Sequence, residues 1–184
     1  MHEGPAVVEL VDAQVVRPLR RAVLRPDQSA AHVEYPGDDD PVSAHAAVRA
    51  AAPPHPEPGR RQPRPSASPG RAHHADVVAV GSVLPEPPPW ERGRGDGWRV
   101  RGMATRPDAR RQGFGALVLD ALVHHVGAHG GGLVWCNARV PAQHLYTRAG
   151  FVTRGTVFDI PDIGPHIIMW KTVAGADGSP ASAP

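Results

Sequence analysis

The chain has 184 residues, 41% of them hydrophobic, which suffices for one domain with a core once its proline-rich stretches are set aside. Twenty basic residues against 18 acidic ones leave a formal charge of +2, too even a balance to imply a nucleic-acid partner, and the surplus of Ala, Arg, Gly and Pro over the single lysine, Lys171, reads as GC-rich coding. One cysteine, Cys136, excludes an intramolecular disulfide and a multi-cysteine metal site and suits a reducing cytoplasm.

Residues 7–24 carry apolar positions from Val7 to Leu24 that fit a short strand running into an amphipathic helix, which Pro26 ends. Tyr35 to Pro41 reads as a turn, with Asp38, Asp39 and Asp40 as a solvated loop, and Ser43 to Ala50 as a strand. Residues 51–75 hold seven prolines, four arginines and no large aliphatic or aromatic side chain. Such a stretch cannot offset its ordering entropy, so a disordered insertion is expected there. Asp76 to Leu84 resumes as a strand, and Trp98 to Thr105 alternates as another. That alternation predicts Trp98, Val100, Gly102 and Ala104 on one face and Arg99, Arg101, Met103 and Thr105 on the other. After an Arg- and Gly-rich loop, Phe114, Leu117, Val118, Ala121 and Leu122 recur at helical spacing until the glycines at 127 and 130–132. Leu133 to Cys136 predicts a short strand, Pro141 to Ala149 a helix stopped by Gly150, and Phe151 to Ile160 and His166 to Val173 two closing strands. The tail, 174–184, is polar and expected to be disordered. The order is that of an α/β fold with a mixed sheet. No opening segment has the form of a signal peptide and no window approaches ~20 apolar residues, so a soluble cytoplasmic protein without a membrane partner is expected.

The chemistry concentrates between a strand and a helix, at Arg110, Arg111, Gln112, Gly113, Phe114, Gly115 and Ala116. Consecutive backbone N–H groups and the helix dipole can hold a phosphate there, and the glycines allow close approach. No Lys-Ser or Lys-Thr follows, as a nucleoside triphosphatase needs, and the third glycine of a dinucleotide fold is missing. The pattern Arg110-x-x-Gly113-x-Gly115 instead resembles the acetyl-coenzyme A signature of the GNAT superfamily of N-acetyltransferases. Asn137 after the next strand, and Leu145-Tyr146-Thr147-Arg148-Ala149-Gly150-Phe151, resemble that family's second signature, and Gly102 to Pro107 is similar to the strand and turn before its phosphate loop.

The resemblance covers residues 76–173, the expected acetyl-CoA-binding core, with residues 1–50 as the N-terminal part of the same domain. It implies a single-domain α/β fold of GNAT type, a mixed, centrally splayed β-sheet flanked by helices. It also implies transfer of an acetyl group from acetyl-CoA, the cosubstrate, to a primary amine by direct attack, without a metal. Backbone amides from Arg111 to Ala116 would bind the pyrophosphate, with Arg110 opening the motif. Met103, Ala104 and Thr105 would offer a strand edge to the pantetheine arm, with Asn137 bonding its amides, and Tyr146 would protonate the departing thiolate. A phenol with a pKa of about 10 can do so without prior ionisation. Glu86, Glu34 and His166 are candidates for the base that deprotonates the amine. Cys136 is expected to be a buried thiol. Trp90 lines an acceptor pocket or covers the sheet, and the histidines form no ligand spacing. The acceptor is a small molecule or peptide amine, the acyl length stays open, and the resemblance allows a homodimer. The alternatives are an acyl-CoA-binding protein without catalysis and an Arg-rich interaction module at residues 60–71.

Overall fold

The computed structural model describes residues 6–26, 34–50, 77–91 and 97–176. The expected insertion at 51–75 and the tail from residue 177 lie outside them. Seven strands and three helices follow in chain order: β1 (Val7–Val11), α1 (Ala13–Leu24), β2 (Ala44–Arg49), β3 (Val77–Pro85), β4 (Trp98–Thr105), α2 (Phe114–Ala128), β5 (Gly132–Arg139), α3 (Gln143–Arg148), β6 (Val152–Ile160) and β7 (Gly164–Val173). Short 3-10 turns at Pro107–Ala109 and Val140–Ala142 precede α2 and α3. The strands form one sheet in the order β1-β2-β3-β4-β5-β7-β6. Every neighbouring pair is antiparallel except β4 and β5, which run parallel. No helix among the described residues is long and apolar enough to cross a membrane.

Helices cover the two faces because the strands alternate apolar residues on both. Ala44, Ala46 and Val48 of β2, Ala79 and Val83 of β3, and Val134, Cys136 and Ala138 of β5 pack with Val118, Leu119, Leu122 and Val126 of α2. The interleaved Ala47, Val77, Val80 and Ala104 pack against Val16 of α1. Gly81 leaves the room that Met103, Val118 and Leu122 fill, and a Cβ there would collide with Met103 Sδ and with Val118 Cγ1 at 2.8 Å.

Two expectations change. The regular alternation along β4 is broken, because Val80 pairs with Ala104 while Ser82 pairs with Arg101, so Gly81 alone faces both Gly102 and Met103. This β-bulge, with Gly102 in the left-handed region at φ 61°, flips the faces beyond it. Met103 therefore joins Trp98 and Val100 on the α2 side, and Ala104 joins the α1 side. β5 also extends beyond the apolar run to Arg139, because it pairs with β7 along its whole length, from Gly132↔Val173 to Arg139↔His166.

Candidate active site

β4 and β5 pair only at Trp98↔Val134 and Arg99↔Trp135. Past those residues the parallel strands part, leaving a wedge with its apex at Arg99 and Trp135 and its mouth at the strand ends, Thr105 and Arg139. The β4 edge facing the wedge can be identified. Arg106 N–H donates to the Val78 carbonyl on the β3 side, so alternation turns the amide and carbonyl of Thr105, and of Met103, towards the wedge. Arg110 Nε reaches the Thr105 carbonyl there, at 3.3 Å. Ala104 is turned the other way, paired with Val80 and buried under α1.

The loop from β4 to α2 is held by the Arg110 bond and by Gln112 Nε2 donating to the Asp108 carbonyl at 3.2 Å. Arg111 and Gly113 both take positive φ, 63° and 86°. Gly113 sits at the N-cap of α2, where no side chain caps the helix and the first turn holds no acidic residue. A Cβ at Gly113 would meet nothing within 4 Å, and one at Gly115 would meet Thr105 Oγ1 at 3.5 Å. Phe114 packs on the α2-side core, and Ala116 is exposed. The helix thus opens on uncapped amides beside the wedge mouth, an arrangement that favours an anion.

Tyr146, on the one-and-a-half-turn α3, is buried and stands edge-on to Phe151 at 5.7 Å between ring centroids. It shares a core cluster with Cys136, the first β5 residue past the last pair with β4, and its hydroxyl is within electrostatic reach of that thiol, so the phenol lies near the wedge apex. Burial, then the Cys136 thiol, raises its pKa well above the ordinary value and keeps it protonated. Burial pushes the Cys136 thiol up to about 12, which leaves it without the thiolate a nucleophile needs. Gly150, at φ 84°, ends α3 and lets Phe151 N–H return to the Tyr146 carbonyl, fixing the pair.

The α1-facing side of the wedge is rich in arginine and aromatic rings. Arg99 Nη1 meets Glu86 Oε1 at 2.6 Å and Arg101 Nη1 meets Glu86 Oε2 at 3.4 Å. The Arg99 guanidinium lies 4.4 Å over the Trp135 ring, whose Nε1 donates to the Glu86 carbonyl, and Arg101 lies 4.2 Å over Tyr35. Trp90 packs edge-on to Trp135 and carries Arg154 at 4.8 Å. Of the three candidate bases, Glu86 has both oxygens occupied, and Glu34 is exposed beside Arg17 at 3.8 Å. His166 is buried, and its Nδ1 donates to the Gly164 carbonyl at 2.7 Å. Asp38 serves structure. It is buried and paired with Arg20 at 2.8 Å, in a network that includes Ser82 and His45. Asn137 shares a face with Trp135 and Arg139, opposite Ile168. The sequence reading did not single out Tyr35, Arg99, Arg101, Trp135 or Arg139. The signal available was the alternation Arg99-x-Arg101 and Trp135-x-Asn137-x-Arg139, polar or amphipathic residues on one face of otherwise apolar strands.

Comparison with known proteins gives a consistent result. Residues 42–151 match the model of the acetyltransferase (GNAT) family. The chain is 28% identical over 166 residues, 90% of its length and 95% of the relative's, to the uncharacterized N-acetyltransferase YitI of Bacillus subtilis (strain 168). Its fold is similar to that of a GCN5-related N-acetyltransferase from Kribbella flavida, with a TM-score of 0.61, 16% identity and coverage of 91% and 98% of the two chains. An aminoglycoside 6'-N-acetyltransferase complexed with coenzyme A gives a TM-score of 0.59, 16% identity and coverage of 90% and 96%. A sheet parted at its parallel pair, a glycine-led helix beside the gap and a family match spanning both place this chain in the acetyltransferase (GNAT) family, as an acyltransferase of the N-acetyltransferase kind.

Proposed function

We propose that the chain transfers the acetyl group of acetyl-coenzyme A to a primary amine by direct attack. The observation that carries this reading is the juxtaposition of three features: the parted edge of β4, the uncapped N-terminus of α2 at the wedge mouth, and a protonated Tyr146 at the apex. In this reading the amides from Arg111 to Gly115 hold the pyrophosphate, with the exposed Arg110 and Arg111 beside it, while the Ala116 N–H is taken by the Gly113 carbonyl at 2.9 Å. Met103 and Thr105 continue the sheet onto the pantetheine arm, and Asn137 offers its side-chain amide. Gly113 fits the role, since its left-handed backbone faces open space that a side chain would enter.

The thioester carbonyl would lie near the apex, where the amine nitrogen forms a bond to its carbon as the C–S bond breaks. Tyr146 gives its proton to the departing sulfur, and the amine proton passes to a base. None of the three candidates stands free at the apex: Glu86 is held by Arg99 and Arg101, Glu34 is exposed beside Arg17, and His166 pairs with Arg139 at the wedge mouth, four residues of about 3.3 Å each from Trp135, so in this reading water carries the amine proton out. The fold of an aminoglycoside acetyltransferase bound to coenzyme A supports the donor class.

The test is calorimetric titration with acetyl-coenzyme A, then thiol release over a panel of amines. Binding with amine-dependent thiol release is expected. Binding without release from any amine would assign the chain to a non-catalytic acyl-CoA binder, and no binding would remove the wedge as a cofactor site.

A further inference from the structure

We propose that Lys171 is the positioning residue for Tyr146: its ammonium holds the C-terminal end of α3 and so sets where the phenol stands at the wedge. This rests on the acetyltransferase reading above. Lys171 is the single lysine among 20 basic residues, and it lies on β7 directly opposite Val134, the β5 residue that pairs with Trp98 of β4. Alternation puts it on the face of Met169, which is opposite Cys136 and in the core cluster of Tyr146 and Phe151. There Lys171 Nζ donates to the Ala149 carbonyl at 2.9 Å. It also lies 5.8 Å from the centre of the Phe151 ring, the ring that meets Tyr146 edge-on at 5.7 Å.

α3 cannot hold itself. Its six residues are far below the ~12–15 at which an isolated helix becomes marginally stable in water. Its N-cap, Ala142, makes no side-chain bond, and its first turn has no acidic residue. The chain also leaves it at once, because Gly150, at φ 84°, turns back so that Phe151 N–H reaches the Tyr146 carbonyl at 3.0 Å. The Ala149 carbonyl is one of the acceptors left over at that end, and an ammonium there both satisfies it and complements the helix dipole. The approach is close: a Cβ on Gly150 would stand 3.6 Å from Lys171 Nζ. A compact point charge suits a single carbonyl in such a space, where the fork of a guanidinium is built for two acceptors. The bond is partly buried, which screens it less than a surface contact. Tyr146 lies three residues before Ala149, within the same turn, so slack at the end carbonyl moves the phenol, and proton transfer is sensitive to small misplacements.

The test is a mutant cycle on the full chain, with thiol release from acetyl-coenzyme A measured on the best amine of the panel above. Lys171→Met keeps the aliphatic stem and removes the charge and the donor. It should lower kcat by about tenfold, the scale of a charge-assisted hydrogen bond, while the calorimetric affinity for acetyl-coenzyme A stays within about twofold. Lys171→Arg keeps a cationic donor and should lie within about threefold of wild type. In a Tyr146→Phe background the hydroxyl is already gone, so Lys171→Met should cost less than about twofold more. A loss of the same size in both backgrounds would assign Lys171 to general stability and overturn the proposal. So would an undiminished kcat in the single variant, or Lys171→Arg as slow as Lys171→Met. Cys136, the only cysteine and a member of the same core cluster, gives a readout that needs no turnover. Its reaction with a dithiopyridine reagent should be about tenfold faster in Lys171→Met and unaffected by low denaturant, as for a local opening of α3. Equal labelling of wild type and Lys171→Met, or a rate that climbs with denaturant from the outset, overturns the anchor. Lys171→Gln, with a neutral donor, repeats both measurements if the methionine variant folds poorly. Failure of wild type to bind acetyl-coenzyme A, or to release thiol with any amine, would instead remove the acetyltransferase reading and with it the role given to Lys171, even where labelling shows the anchor in place.

Discussion

Tyr146 is held by burial, by the Phe151 ring and by the Cys136 thiol, and each contact bears on its proposed role. Because its pKa is raised, the hydroxyl is present as a donor across the neutral range, whereas an ionised phenolate could not protonate a thiolate. Tyr146→Phe removes only that oxygen and keeps the edge contact with Phe151. Turnover should therefore fall by about 100-fold, the low end for loss of a general acid, while acetyl-coenzyme A affinity stays within error. An undiminished rate would exclude the phenol from proton transfer. Cys136→Ala in parallel should keep most of the rate, because a thiol pushed up to about 12 supplies no nucleophile. Gly113 is the second residue with a separable consequence. Gly113→Val forces a branched residue into φ 86°, at a cost of about 1–2 kcal/mol, and places methyls in the open space beside the α2 amides. Loss of acetyl-coenzyme A binding with a fold retained by circular dichroism is the expected result, and unchanged binding would sink the phosphate-loop assignment.

At the scale of elements, the wedge depends on β4 pairing fully with β3 while leaving β5 after two residues. The bulge at Gly102 and Met103 sits in the free part of β4, and its left-handed glycine is tightly enclosed. A Cβ there would stand 2.6 Å from Arg20 Nε and 3.2 Å from Tyr35 Cε2. Gly102→Ala should therefore destabilise the protein by more than the roughly 1–2 kcal/mol of the backbone strain alone, since Arg20 must also shift off its Asp38 partner. Denaturant unfolding measures this, and a loss below that range would show that the bulge relaxes. None of this was visible in the residue pattern, because a glycine in an alternating run fits a regular strand as well as a bulge. The turn into α2 and the end of α3 were legible for the opposite reason: their glycines, at 113 and 150, mark left-handed positions in fixed register with the helices they start and stop. The end of β5 was missed because Asn137 and Arg139 look like loop residues until the wedge supplies a reason for polar side chains on one face.

For the whole molecule, the sheet order confines the unusual composition of residues 51–75 to one place. β2 ends and β3 begins as antiparallel neighbours, with Arg49 directly opposite Val77. The 27 residues from 50 to 76 therefore connect two strand ends that already meet, a gap that a two-residue hairpin turn spans. The sequence could flag the stretch as unable to fold on its own, but only the register shows that the sheet does not need its length. Replacing residues 50–76 with Asn-Gly shortens the closed loop by nearly four doublings, each worth about 0.6 kcal/mol, so the stability gain could reach about 2 kcal/mol. A melting temperature equal to or above that of the full chain is expected, with acetyl-coenzyme A affinity unchanged because the replacement leaves β4, β5 and the turn into α2 intact. A marked fall in melting temperature would show that the stretch packs on the domain. Unchanged stability with a loss of activity on amines alone would instead assign it to the acceptor side.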